Sequence, residues 1–191
     1  MTEAGCGAET DRPGQDGGTA RGGRPEALAQ RLATADAATR VLMELAAERG
    51  WGAPVRARRL DAPAGPPPDA ALEALRPGPR ERLAARAVVL VCGRRELSRA
   101  ENWYVPERLP EAVNRGLDAG DAPFGLLLLP YRPARRLLRL ERLWRPGQPE
   151  EAAAELFRIT AVMAARFGAG GAGPATPVAF VSETYLAGLL A

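Results

Sequence analysis

Between Ala87 and Pro106 two β-prone runs stand on either side of Gly93-Arg94-Arg95. The first, Ala87-Val-Val-Leu-Val91, is rich in β-branched residues, and the second ends at Val105-Pro106. Strands joined by so short a turn can only pair antiparallel, because a parallel partner needs a crossover of a dozen residues or more. This hairpin fixes the nucleus of an antiparallel sheet, and the rest of the chain has to be arranged around it.

Ahead of the hairpin, Leu28, Leu32, Ala35, Ala38, Leu42 and Leu45 recur three or four residues apart, the spacing of a helix face. Thr34 and Asp36 divide this run into two helices near Ala35, and Gly50 caps the second. Val55 to Leu60 reads as a short strand, 62–68 as a Pro-rich surface loop, and Ala70 to Leu75 as a short helix ended by Pro77 and Pro79. After the hairpin, Pro106-Glu107 opens a helix that Gly120 caps, and Pro123-Phe124-Gly125 leads into the apolar run Leu126 to Leu129. Arg135 to Trp144 is assigned as strand, with helix its rival. Leu156 to Arg166 and Val178 to Leu186 read as two long strands joined by a glycine-rich loop. Residues 1–25 lack apolar periodicity and are expected to be a disordered tail on a domain of residues 26–191. The class expected is α+β, a single antiparallel β-sheet with helices on it.

Composition restricts the chemistry. The chain has no His, and every one of its 26 basic residues is Arg. Ser-His-Asp, Cys-His and His-ligated metal chemistry are thereby excluded. Cys6 and Cys92 match no zinc or redox spacing, and Cys92 reads as a small core residue. Neither a glycine-rich phosphate loop nor an internal repeat is visible. The expectation is an enzyme or binder with no metal and no cofactor, acting through Arg, carboxylates, Tyr and backbone amides. No signal peptide or membrane span is apparent, so a cytoplasmic protein with no membrane partner is expected. The net charge of +3 and pI near 9.4 would suit nucleic acid, but they also follow from an Arg-rich codon bias and would suit an anionic small molecule. The sequence does not set the oligomeric state; a monomer is compatible with it.

From Arg86 onward the order of motifs resembles the chorismate lyase family. Arg86 precedes the strand Ala87-Val-Val-Leu, and the next strand closes at Tyr104-Val105-Pro106. A helix and Ala122-Pro123-Phe124-Gly125 follow, similar to the family's Pro-Leu-Gly. Last come Pro177-Val178-Ala179 and Ser182-Glu183-Thr184-Tyr185-Leu186, like the family's closing strand with its glutamate. Ala37-Ala38-Thr39 looks like the turn that begins the family's second helix. Two family arginines are replaced, by Asn102 and Leu126.

The resemblance implies helices that form flaps over an internal ligand site, and cofactor-free cleavage of chorismate to 4-hydroxybenzoate and pyruvate, as in ubiquinone biosynthesis. It implies Arg86 and Glu183 as the catalytic pair, Arg86 on the ring carboxylate and Glu183 on the ring hydroxyl. Phe124, Ala38 and Gly125 would complete the substrate site, the first two through main-chain N–H groups. The same fold serves as the effector-binding domain of a class of bacterial transcription regulators, so a non-catalytic aromatic-acid binder is the alternative. An Arg-rich nucleic-acid-binding module is the remaining one. Arg99, Arg135 and Arg136 are the residues that could replace the two missing arginines.

Overall fold

The computed structural model describes residues 23–61, 65–145, 154–168 and 171–190. Most of the expected tail, residues 1–22, lies outside them. Two helices come first, α1 (Gly23–Thr34) and α2 (Ala38–Glu48), separated at Ala35 to Ala37 as the interrupted periodicity predicts. Helix α1 begins three residues before the expected domain boundary at 26. Then follow β1 (Val55–Arg59), α3 (Asp69–Leu75), β2 (Ala84–Cys92), β3 (Arg95–Tyr104), α4 (Glu111–Ala119), α5 (Phe124–Leu128), β4 (Ala134–Arg142), β5 (Glu155–Arg166) and β6 (Ala175–Leu186).

The six strands form one sheet in the order β1-β2-β3-β6-β5-β4, with every neighbouring pair antiparallel. The fold is therefore α+β, built on the β2–β3 hairpin. Because β6 inserts between β3 and β5, the two longest strands sit centrally and carry Glu183 into the middle of the sheet. Arg135 to Trp144 is strand rather than helix through Arg142, and it forms an edge whose exposed Leu137 and Leu138 lie at a register shift between Leu137 and Arg139. Ordinary strand alternation fails there because a bulge puts consecutive residues on the open side.

Alternation elsewhere splits the side chains between two faces. On one face Val88, Leu90, Ala100, Val181, Ile159 and Ala161 join Leu32, Leu42, Val113, Leu117, Phe124 and Leu128, so α1, α2, α4 and α5 cover this side. On the other, Trp103, Phe180 and Val162 pack under Ala71 and Leu75 of α3. The larger core thus lies between the sheet and four helices, and the polar residues of interest are trapped in it. Cys92 is buried, as expected, with its thiol donating to Ala53 O.

The sequence pattern does not predict helix α5. Its five residues, Phe-Gly-Leu-Leu-Leu, have no polar face to reveal a helical period, and Pro123 supplies only a starting signal. The helix is held by what surrounds it. The preceding segment 120–122 is tied to the sheet at each carbonyl: Gly120 O and Ala122 O accept from Arg86, and Asp121 O accepts from Ala57 N–H at 2.9 Å. Gly120 closes α4 with φ 91°, a left-handed conformation that glycine adopts without steric cost.

Candidate functional site

A narrow cavity lies between the helix-covered face of the sheet and the starts of α2 and α5. Ala38, Thr39, Phe124 and Gly125 form its helical wall. Val88, Leu90, Ala100, Asn102, Met163, Val181, Glu183 and Arg135 form the sheet wall. The helical wall is tight: a methyl group on Gly125 would lie 2.7 Å from Thr39 Oγ1, so α2 and α5 meet at a glycine that the contact requires. Four of the five residues expected in the site, Glu183, Ala38, Phe124 and Gly125, are brought together here.

Glu183 is buried at the polar end of the cavity. Ser98 Oγ–H donates to its Oε1 at 2.7 Å, and the Tyr185 hydroxyl donates to its Oε2 at 2.7 Å. Tyr185 is wholly buried, and burial, with Glu183 beside it, holds its phenol proton far above the usual range. The phenol is therefore a fixed donor at any ordinary pH. Each carboxylate oxygen has a second acceptor site in addition to the one in use.

Arg135 completes this end. Its side chain is 2% exposed, Nη1 donates to Leu32 O at the end of α1 (2.6 Å), and Nη2 stands 3.9 Å from Glu183 Oε2. Nη2 is buried and makes no hydrogen bond. Buried donors are nearly always satisfied, so an open one at a cavity marks a place where an acceptor is wanted. The sequence named Arg135 only as one of three replacement cations. The other two are excluded from the cavity by strand alternation: Arg99 lies in a groove on the opposite face, and Arg136 is exposed.

Arg86 is buried on the same face, sharing it with Val88 and Leu90, and its register partner is Asn102 of the cavity wall. The guanidinium does not line the cavity. It points to the 120–122 segment, with Nη2 2.9 Å from Gly120 O and 3.2 Å from Ala122 O, and Nη1 3.2 Å from Ala122 O. Nε is buried without a hydrogen bond. Burial lowers its proton affinity below that of an ordinary arginine. Arg86 and Glu183 therefore do not bracket one cavity here; the cation next to Glu183 is Arg135. Aromatic rings also pack around the site: Tyr104 leans on Phe124 at 5.6 Å between ring centres, and Phe157 stacks on Tyr185 at 4.9 Å.

The volume left between the walls is about 40 Å³. For scale, an apolar cavity of about 150 Å³ accommodates one benzene. A ring-sized ligand therefore requires α2 and α5 to separate from the sheet or from each other. No group of three or more His, Cys, Asp or Glu side chains able to hold a metal occurs among the described residues. Nor is any helix there long and apolar enough to cross a membrane.

No protein-family model matches the chain. An uncharacterised protein, y4mC, from Sinorhizobium fredii (strain NBRC 101917 / NGR234) is 50% identical over 48 residues, which is 25% of this chain and 20% of that protein. Two solved structures are similar at low level. One is described as a possible transcriptional regulator, YydK, from Bacillus subtilis, at 16% identity and TM-score 0.40, covering 69% of this chain and 58% of that one. The other is the ligand-binding domain of a Bordetella bronchiseptica protein assigned to the GntR family of transcriptional regulators. It shows 15% identity and TM-score 0.39, covering 68% of this chain and 82% of that one. Scores of this size assign neither family nor function.

Proposed function

We propose that the domain binds a small hydroxylated aromatic acid without cleaving it, in the cavity between the sheet and the starts of α2 and α5. The observation that carries this reading is the buried Arg135 Nη2, lacking a hydrogen-bond acceptor beside Glu183. A ligand hydroxyl at this end accepts from Nη2 and donates to a free lone pair of Glu183. A ligand carboxylate is disfavoured there, since it would stand against the carboxylate of Glu183.

The acid end then points to the helical wall. Helix geometry leaves the first N–H groups of α2 and α5 without partners inside the helix, and neither Ala37 nor Pro123 caps them with a side chain. Main-chain donors of Ala38 and Phe124 are the groups available to a carboxylate, and the apolar walls of Val88, Leu90, Met163 and Val181 suit the ring between. Because 4-hydroxybenzoate has this arrangement of groups, it is the probe we would use first.

Cleavage of chorismate asks for more than this cavity supplies. Chorismate is a dianion, whereas the charge of Arg135 is offset by Glu183, and the guanidinium of Arg86 is engaged with carbonyls. Two uncompensated carboxylates in a closed site would be costly. Incubation with chorismate, following pyruvate and 4-hydroxybenzoate, separates the two functions. We expect pyruvate release no faster than the spontaneous rate, together with a raised thermal midpoint in 4-hydroxybenzoate. Stoichiometric pyruvate and 4-hydroxybenzoate above that rate would make the protein a lyase.

A further inference from the structure

We infer that Arg86 is a positioning residue of this site, acting through α5 rather than by touching the ligand. Three observations converge on it. Between α4 and α5 the carbonyls of residues 120–122 are all held by the sheet, and Arg86 holds two of these three. The segment runs directly into Pro123 and then Phe124 and Gly125, which form the wall of the cavity. Arg86 itself is missing from the cavity lining, although its strand neighbours Val88 and Leu90 and its cross-strand partner Asn102 are all part of it.

The chemistry of the guanidinium suits the task. Its planar fork can reach two carbonyls two residues apart at once, and a lysine ammonium, a single point with rotating donors, would hold one of them less rigidly. Removing the fork leaves the carbonyls of Gly120 and Ala122 without their donor at the root of a helix only five residues long. Phe124 is otherwise braced by Tyr104, which stands on the other side of the hairpin. Loss of Arg86 therefore frees α5 first and leaves β5 and β6 undisturbed.

Two measurements on the full chain test this, with Arg86→Met and Arg86→Lys beside wild type. In hydrogen exchange, Arg86→Met should speed the amides of residues 120–128 at least tenfold while those of 156–165 and 178–186 keep their wild-type rates. The lysine variant should fall between the two. Unchanged exchange at 120–128 in the methionine variant would overturn the inference. Should that variant fail to fold, Arg86→Lys alone carries the same comparison.

The second measurement rests on the ligand reading above. The ratio of affinities for 4-hydroxybenzoate and 4-hydroxybenzamide reports contacts to the carboxylate. If Arg86 acts only through α5, both affinities fall, about tenfold for 4-hydroxybenzoate, and the ratio stays above one, because the Ala38 N–H on α2 still serves the carboxylate. A ratio that collapses toward one in the arginine variants would make Arg86 a direct carboxylate ligand and overturn the inference. Wild-type protein that binds neither compound would overturn the ligand reading, and the exchange measurement would still decide the role of Arg86.

Discussion

The side chains of Arg86 and Arg135 are both buried on the helix-covered face of the sheet, and both donate to backbone carbonyls, yet their surroundings differ. Arg86 lies on β2, and its forked end is used up on the Gly120 and Ala122 carbonyls. Arg135 comes from the opposite side of the sheet, on edge strand β4. It spends one nitrogen on Leu32 O and leaves the other without a hydrogen bond, 3.9 Å from Glu183 Oε2, in a cavity. Burial of a charge is therefore a poor guide to a ligand contact. What distinguishes the two is where the remaining donor capacity faces.

The largest effect should come from taking away the carboxylate that only Arg135 has. Glu183→Ala strands a buried guanidinium and deprives the Ser98 and Tyr185 hydroxyls of their acceptor, and breaking a buried pair in this way costs about 3–5 kcal/mol. Urea denaturation reads this directly. A loss under about 1 kcal/mol would mean that the polar end is solvated and that the contrast with Arg86 is misdrawn. Arg86→Met should cost less, about 2 kcal/mol, since two carbonyls lose their donor but a buried charge also disappears. A loss as large as that of Glu183→Ala would make Arg86 a general support of the fold rather than an anchor for one segment.

Arg108 offers a third arginine, one with its donors matched. It grips Glu81 through Nε and Nη2 at 2.9 and 2.7 Å and donates to Pro177 O and Arg76 O. Hydrogen bonds from Arg108 and from Gly78 N–H lower the Glu81 carboxyl from its ordinary 4.5 to about 2. A lowered carboxyl pKa stabilises the fold above the unfolded value, so this contribution is complete above about pH 4.5 and is lost as pH falls through about 2. The stability gap between wild type and Glu81→Gln should accordingly close over that interval. A gap independent of pH would show that the pair is not held in solution. The smallest effect is expected at Arg136, next to Arg135 but exposed: Arg136→Ala should change stability by less than about 0.5 kcal/mol and leave ligand affinity unaltered.

The same contrast explains how much could be read from sequence. The hairpin, β5, β6 and the break between α1 and α2 followed from patterns of two and of three to four residues, which the core enforces locally. Glu183, Ala38, Phe124 and Gly125 were placed in one site by their resemblance to known motifs, and they do meet. The orientation of the arginines was not legible. Whether a guanidinium reaches a cavity or a carbonyl depends on segments far away in sequence, Gly120 to Ala122 for Arg86 and Leu32 for Arg135. With 26 arginines in the chain, residue type carried almost no information about which one mattered. Strand parity was the usable signal: Arg99 and Glu183 lie on opposite faces because Arg99 is in register with Thr184, whose side chain faces away from that of Glu183. Helix α5 was hidden for a related reason, being stabilised by the clamp at its root rather than by its own pattern.

The central claim is that Arg135 anchors a ligand in this cavity, and titration calorimetry with 4-hydroxybenzoate tests it most directly. Wild-type protein should bind one equivalent, and Arg135→Met should bind at least tenfold more weakly while still unfolding cooperatively. Equal affinity in the two proteins, or no binding by wild type, would contradict the account.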